Sequence, residues 1–314
     1  MNLRAAAKGA VERALVTMGA ARWSRRRNRR NGVILAYHNV LPDREPPVGD
    51  RSLHLPFRIF RDQMELLSRT HHVVALPTLL EAVEGGGGHE QDRPMAAITF
   101  DDAYRGAIQI ALPWLHSRSL PATVFVAPRL LGDRSTWWDR LADPDTGVMP
   151  DDIRNGALIE ARGQEEAVLT DWSVRIQEMP PHARSATTEE LLAAVATGGV
   201  GLAAHSWSHP NLARLTTAEV TREIEETEAW FRTHLGEGNS GEGSSLLAYP
   251  YGLCSPKLHR WLLARGIVGL GLQGGMVTPG ILRHPAEPIP RINIPAGVSL
   301  RGFELRISGV WGGP

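Results

Sequence analysis

Two adjacent acids, Asp101 and Asp102, and two histidines four residues apart, His205 and His209, are the side chains in this sequence best suited to chemistry. Neighbouring carboxylates repel, burial raises that cost, and a bound cation removes it. Successive side chains on a strand point to opposite sides, so one carboxylate can ligate a metal while the other stays free as a base. The competing use of such a pair is a helix N-cap (Asp102) beside a solvated acid, which is the commoner use of the stretch taken alone. His205 and His209 have metal-ligand spacing if the chain makes a helical turn there, which places both imidazoles on one face. A histidine pair at this spacing is by itself more often a surface or core pair. Two histidines and one aspartate make three ligands and leave a position open for water or substrate. The other aspartate can then take the proton of that water.

These residues sit where strands are expected to end. Val33–Tyr37 reads as a strand that stops at His38, and the apolar run Met95–Ile98 leads into Thr99-Phe100-Asp101-Asp102. Val200–Ala204 stops at His205, and Leu246–Tyr249 stops at Pro250-Tyr251-Gly252. Ala122–Val126, Val73–Ala75, Ile267–Leu270 and Ile289–Ile294 complete about eight strand candidates. Helical spacing separates them at Phe57–Arg69, Pro77–Glu84, Arg105–Ser117, Thr187–Ala196, Thr217–His234 and Pro256–Arg265. Thr187 with Glu190 forms a capping-box signal. The alternation predicts a parallel sheet closed into a distorted (β/α) barrel of about seven or eight strands. Function in such barrels gathers at the strand C-terminal ends, and four of these ends carry polar or unusual residues. Residues 133–186 are polar and weakly periodic and are expected to be an insertion over one end. Its Trp137, Trp138 and Trp172 could stack on a sugar; anchoring the insertion to the body is the expected role.

At 314 residues and 42% hydrophobic content the chain can bury a sizeable core. Its 34 basic and 34 acidic residues balance, which argues against a nucleic-acid partner. A lone cysteine, Cys254, excludes an intrachain disulfide framework and suits a reducing compartment. Residues 1–31 are expected to form a basic helical extension ahead of a single catalytic barrel, 32–314. Charges interrupt the first 20 residues too often for a signal peptide or a spanning helix. A cytoplasmic protein is therefore expected, with peripheral contact to an anionic membrane through Arg22–Arg30 as the alternative to a solvated basic helix.

The motifs resemble those of the polysaccharide deacetylases with the NodB-homology domain, carbohydrate esterase family four. Thr99-Phe100-Asp101-Asp102-Ala103-Tyr104 is similar to the first motif, with Ala103 where glycine is usual. His205-Ser206-Trp207-Ser208-His209-Pro210 is similar to the second, and Ala248-Tyr249-Pro250-Tyr251-Gly252 to the third. The resemblance, over roughly residues 32–295, implies a distorted (β/α) barrel and a hydrolase acting on carbon–nitrogen bonds. It implies Asp101 as catalytic base and Asp102, His205 and His209 as ligands of one divalent metal, usually zinc. Tyr251 is implied to stabilise the oxyanion through its backbone N–H. Two departures stand out. Ala248 occupies the place of an arginine, for which Arg291 is the suggested substitute. The late Leu-x-His motif that supplies the general acid is unclear at Leu282-Arg283-His284. Tyr37-His38 resembles its permuted equivalent, so His38 is the expected acid and His284 the alternative.

The expected function is N-deacetylation of an acetylated oligo- or polysaccharide, such as an exopolysaccharide. The alternatives are deacylation of a lipid-linked sugar and a carbohydrate-binding pseudoenzyme.

Overall fold

The computed structural model describes residues 3–46, 48–85, 92–171, 177–236, 244–281 and 287–311. Two helices, α1 (Leu3–Thr17) and α2 (Ala20–Arg27), precede β1 (Gly32–Tyr37). A small parallel pair, β2 (Asn39–Leu41) and β3 (His54–Pro56), follows. Then come α3 (Phe57–Thr70), β4 (His72–Val73), α4 (Leu76–Glu84) and β5 (Met95–Asp101). A widened π-helical turn, Ala107–Ala111, runs into α5 (Leu112–Ser117). A single regular α-helix was expected over 105–117. Pro113 has no N–H to give to the preceding turn, and the ladder widens immediately before it.

After β6 (Ala122–Val126) the expected insertion holds three short helices, α6 (Trp137–Leu141), α7 (Asp151–Ile159) and α8 (Glu165–Asp171). Nine residues or fewer give little room for a periodic signal. They nonetheless share a small core of Trp137, Trp138, Leu141, Met149, Leu158 and Val168. Trp172 lies outside the described residues. The chain continues through α9 (Thr188–Ala196), β7 (Val200–Ala204), α10 (Thr217–Leu235) and β8 (Leu246–Ala248). It ends with α11 (Pro256–Leu263), β9 (Val268–Leu270), β10 (Ile292–Asn293) and α12 (Leu300–Ile307). Capping boxes start α9 (Thr187, Glu190) and α10 (Thr216, Glu219).

The main sheet is parallel, in the order β10-β1-β5-β6-β7-β8-β9, with β4 also paired to β5. Ile289 bridges to Leu270 of β9, and β10 pairs with β1, so residues 289–293 close the sheet into a distorted barrel. Alternation along the strands separates two cores. Leu35, Ile98 and Phe100 face the helices, with Phe60, Phe231 and Leu262 among their cluster. Ile34, Ala97, Phe125, Ala203, Ala248 and Ile289 fill the barrel interior. On β5 this period places Thr99 and Asp101 on the interior side with Ala97. Both faces are covered, which is why β5 is apolar apart from Thr99 and its last residue, Asp101.

Candidate active site

The barrel interior resolves the departure at Ala248. Arg291, fully buried just ahead of β10, clamps Asp101 with Nη1 on Oδ1 at 2.7 Å and Nη2 on Oδ2 at 2.8 Å. Nη1 also donates to Thr99 Oγ1 (3.3 Å), and the guanidinium lies over the Phe125 ring. Burial alone would push the Asp101 carboxyl up. Arg291, with His205 and His38 nearby, more than offsets that and holds it below the usual carboxylate range. Asp101 is therefore an anion at neutral pH with its orientation set by a bidentate pair. Ala248 keeps a place in the site through its backbone, because its carbonyl accepts from His205 Nδ1 at 2.8 Å.

That bond sets the tautomer of His205: a carbonyl only accepts, so Nδ1 carries the proton and Nε2 a lone pair. Burial moves its pKa down to about 4, which keeps the ring neutral. His205 Nε2 lies 3.2 Å from His209 Nε2 and 3.5 Å from Asp102 Oδ1, and His209 Nε2 lies 3.2 Å from the same oxygen. All three residues are buried, and Asp102 Oδ1 has no hydrogen-bond partner among the described residues. Despite burial, the neighbouring His209 and His205 hold the Asp102 carboxyl far below its ordinary range. An uncompensated buried carboxylate oxygen facing an imidazole lone pair is unfavourable. A cation held between them removes the cost, so this group fits a metal ion.

The histidines meet without the helical turn that would put them on one helix face. Residues 205–209 form no helical turn. Ser206 (φ 63°) and His209 (φ 60°) are left-handed and fold the loop back on itself, and the His209 N–H bonds Ser206 Oγ. Asp102 (φ 67°), Ala103 (φ 52°) and Tyr251 (φ 59°) are also left-handed. Five of the eight non-glycine residues with positive φ among the described residues thus fall in three short motifs. Each costs roughly 1 kcal/mol, strain that persists where surrounding contacts impose it, as at functional sites.

Those contacts are tertiary. Glu223 on α10 accepts from the N–H groups of Trp207 and Ser208 and from the Ser208 hydroxyl, at 2.7–2.9 Å, and pins the histidine loop. Asp139 on α6 accepts four hydrogen bonds, from Asp50 N–H, His54 Nε2, Tyr104 OH and Thr136 Oγ1. Asn39 Nδ2 donates to the His182 carbonyl and to His54 Nδ1, so the His54 proton sits on Nε2 and points at Asp139. A Cβ at Gly49 (φ 54°) would come within 2.4 Å of Asp139 Oδ1, so that loop can approach the carboxylate only through glycine.

A cavity over the acids is lined by His38, Asp50, Trp137, Trp138, Arg154 and Leu272, with Tyr251 on its wall. His38 is half-buried there, close enough to Asp101 and Asp102 to stabilise both anions. His284 lies outside the described residues. Tyr251 OH accepts from Trp137 Nε1 (3.1 Å) and donates to the His209 carbonyl (3.0 Å). The turn at Tyr251 is closed by Gly252 N–H on Tyr249 and Leu253 N–H on Pro250, bonds that leave out the Tyr251 N–H. Trp138 donates to Tyr104 OH and packs on His209 at 4.7 Å between centroids. The two tryptophans therefore anchor the insertion and wall the site at once. Asp50, Arg154, Asp139 and Glu223 escape sequence reasoning. Asp50-Arg51-Ser52 does carry an Asx-turn signal, since Asp50 Oδ1 accepts from Ser52 N–H, whereas Glu223 is one of several acids on its helix.

The fold and site together define a distorted (β/α) barrel with a buried Asp–His–His group able to hold a metal. Residues 88–267 match the polysaccharide deacetylase family, more than half of the chain, and the chain belongs to it. The matched region holds all three motifs, while His38 and Arg291 lie outside it. The structure is similar to that of IcaB from Ammonifex degensii, at 19% identity and TM-score 0.59 over 88% of this chain and 97% of that one. It is also similar to the Streptococcus pyogenes deacetylase PplD, at 14% identity and TM-score 0.58 over 88% and 98%. The polysaccharide deacetylase BC0361 from Bacillus cereus aligns at 14% identity and TM-score 0.57 over 88% and 69%. At these identities the similarity concerns the fold. No curated protein sequence matches the chain. Membership places the chain, by class, among hydrolases that deacetylate carbohydrates.

Proposed function

We propose that this protein hydrolyses the N-acetyl group of an N-acetylhexosamine unit in a polysaccharide or glycoconjugate, with one zinc ion held by Asp102, His205 and His209. The observation that carries this reading is the triangle of ligand atoms beside a clamped carboxylate. Its edges of 3.2, 3.2 and 3.5 Å are close to the ~3.3 Å between ligands of a tetrahedral site with bonds of about 2.0 Å. Two imidazole nitrogens and one carboxylate oxygen also suit zinc better than a hard cation that prefers oxygen. When bound, the ion supplies Lewis acidity toward the acetyl carbonyl and the attacking water.

The protein's own groups supply the rest. Asp101, an anion aligned by Arg291, accepts the proton of the attacking water. The Tyr251 N–H donates to the oxyanion as the carbonyl becomes tetrahedral. His38, in its protonated form, donates to the leaving amine. Trp137 and Trp138 exclude bulk water from one side of the cavity. The bidentate Arg291–Asp101 pair replaces the arginine absent at Ala248, which counts against the pseudoenzyme alternative.

The test is acetate release from N-acetylglucosamine oligomers and from lipid-linked sugars, before and after chelation and with zinc restored. Chelator-sensitive release that returns with zinc is expected. Stoichiometric zinc with no release from any acetylated sugar would favour a binding protein, and absence of zinc binding would remove the assignment of Asp102, His205 and His209.

Glu223 bears on the same ligands without touching them. Glu223→Ala removes three hydrogen bonds from the histidine loop and is expected to weaken zinc affinity by roughly 10-fold or more. Competition with a chromophoric chelator measures this; unchanged affinity would mean the loop holds its own shape.

A further inference from the structure

The N-terminal helices carry a surface that the site does not use. Residues 1–31 hold nine cations and one acid, so the rest of this neutral chain is net negative. The acid, Glu12, is buried and accepts from the Ser299 hydroxyl at the start of α12. Ser24 Oγ donates to the Ser308 carbonyl and Arg25 pairs with Glu304 at 3.2 Å, so α1 and α2 are fixed to α12 through one face. Much of the rest of this segment is exposed, including Lys8, Arg13, Arg22, Arg26, Arg27, Arg29 and Arg30. Apolar residues lie among them. Ala7, Val11, Ala14 and Met18 are all exposed at successive steps of four, three and four, the spacing of one helix stripe. Met18 is 73% exposed, and Trp23, at 66%, lies beside the Arg27 guanidinium. Burying a tryptophan costs little conformational entropy and removes much apolar area from water, yet most of Trp23 stays exposed.

We propose that this face docks on the surface of a bilayer rich in anionic phospholipid. Arginines flanking an apolar stripe and a tryptophan are the composition of a helix that lies in the headgroup region. Each cation near such a surface adds attraction, while the apolar stripe and Trp23 enter the acyl boundary. A second copy of the chain is a poor occupant, because the same cations would meet each other. A soluble polyanion would satisfy the arginines but leave Val11, Met18 and Trp23 in water. No helix among the described residues is long and apolar enough to cross a membrane, so the contact is peripheral.

Flotation of the full chain with vesicles of phosphatidylglycerol and phosphatidylcholine in equal parts, against phosphatidylcholine alone, tests the proposal. Recovery only on the anionic vesicles, reduced by salt, is expected. R26Q/R27Q/R29Q/R30Q, which leaves Arg25 and its partner intact, should lower the partition coefficient on the order of 1,000-fold. M18S/W23S should lower the binding that survives high salt. Equal recovery on both vesicle types, or full retention by the fourfold variant, overturns the proposal. Binding to heparin or an oligonucleotide with no vesicle recovery would assign the face to a soluble polyanion. A dimer that dissociates in the fourfold variant would assign it to a second copy. Deacetylation of soluble oligomers should be unchanged in both variants, which separates this result from the fate of the catalytic reading.

Discussion

Asp101→Asn is expected to lower turnover about 10²- to 10⁴-fold, the range a positioned general base contributes, while zinc stays bound. The substitution keeps the shape of the side chain and removes its charge. The ligand triangle of Asp102, His205 and His209 does not include Asp101, so zinc stoichiometry is the control. A second control is needed, because Asp101 is also half of a buried ion pair. An asparagine presents an amide N–H where Arg291 Nη2 expects an acceptor at 2.8 Å. Some loss of stability is therefore expected, and activity must be compared on folded protein at matched zinc occupancy. Turnover within a few-fold of the parent would refute the assignment of Asp101 as base.

Arg291→Met is expected to cost about 3–5 kcal/mol of stability, because it leaves a buried carboxylate without its cation. Urea unfolding measures this, and a loss under about 1 kcal/mol would mean that water or another cation reaches Asp101. Turnover should also fall, since nothing else among the described residues fixes both oxygens of the proposed base. The double variant D101N/R291M separates the two effects. Removing both charges should recover much of the stability lost in Arg291→Met and none of the activity lost in Asp101→Asn. Contacting residues of one ion pair are expected to couple in this way.

The pair illustrates where sequence reasoning reached and where it stopped. Strands β1, β5, β6 and β7 are legible because burial on both faces leaves nearly continuous apolar runs, with Thr99, Asp101 and Thr123 as the polar exceptions. The helices α3, α9 and α10 are legible from spacing and, for α9, from its cap. The insertion is legible as a region but not as α6, α7 and α8, whose short lengths leave no period to detect. The histidine loop is legible in composition and not in shape: the spacing suits ligands if 205–209 makes a helical turn, and two left-handed residues bring the imidazoles together instead.

The sequence by itself determined the chemistry on offer: two acids ending one strand, two histidines after another, and a family motif around each. Those signals are local, since each lies within a few residues of chain. Only the tertiary structure decided what those groups do to one another. Arg291 reaches Asp101 across 190 residues, Glu223 holds the histidine loop from a neighbouring helix, and Asp139 gathers the insertion, Tyr104 and the loop of Asp50. Glu223 and Asp139 leave no mark in the chain, and Arg291 is suggested only by the arginine missing at Ala248, because closure of the barrel, and not proximity in sequence, brings these partners within hydrogen-bond distance. The same closure withdraws water from the acids, which is why their charges needed partners at all.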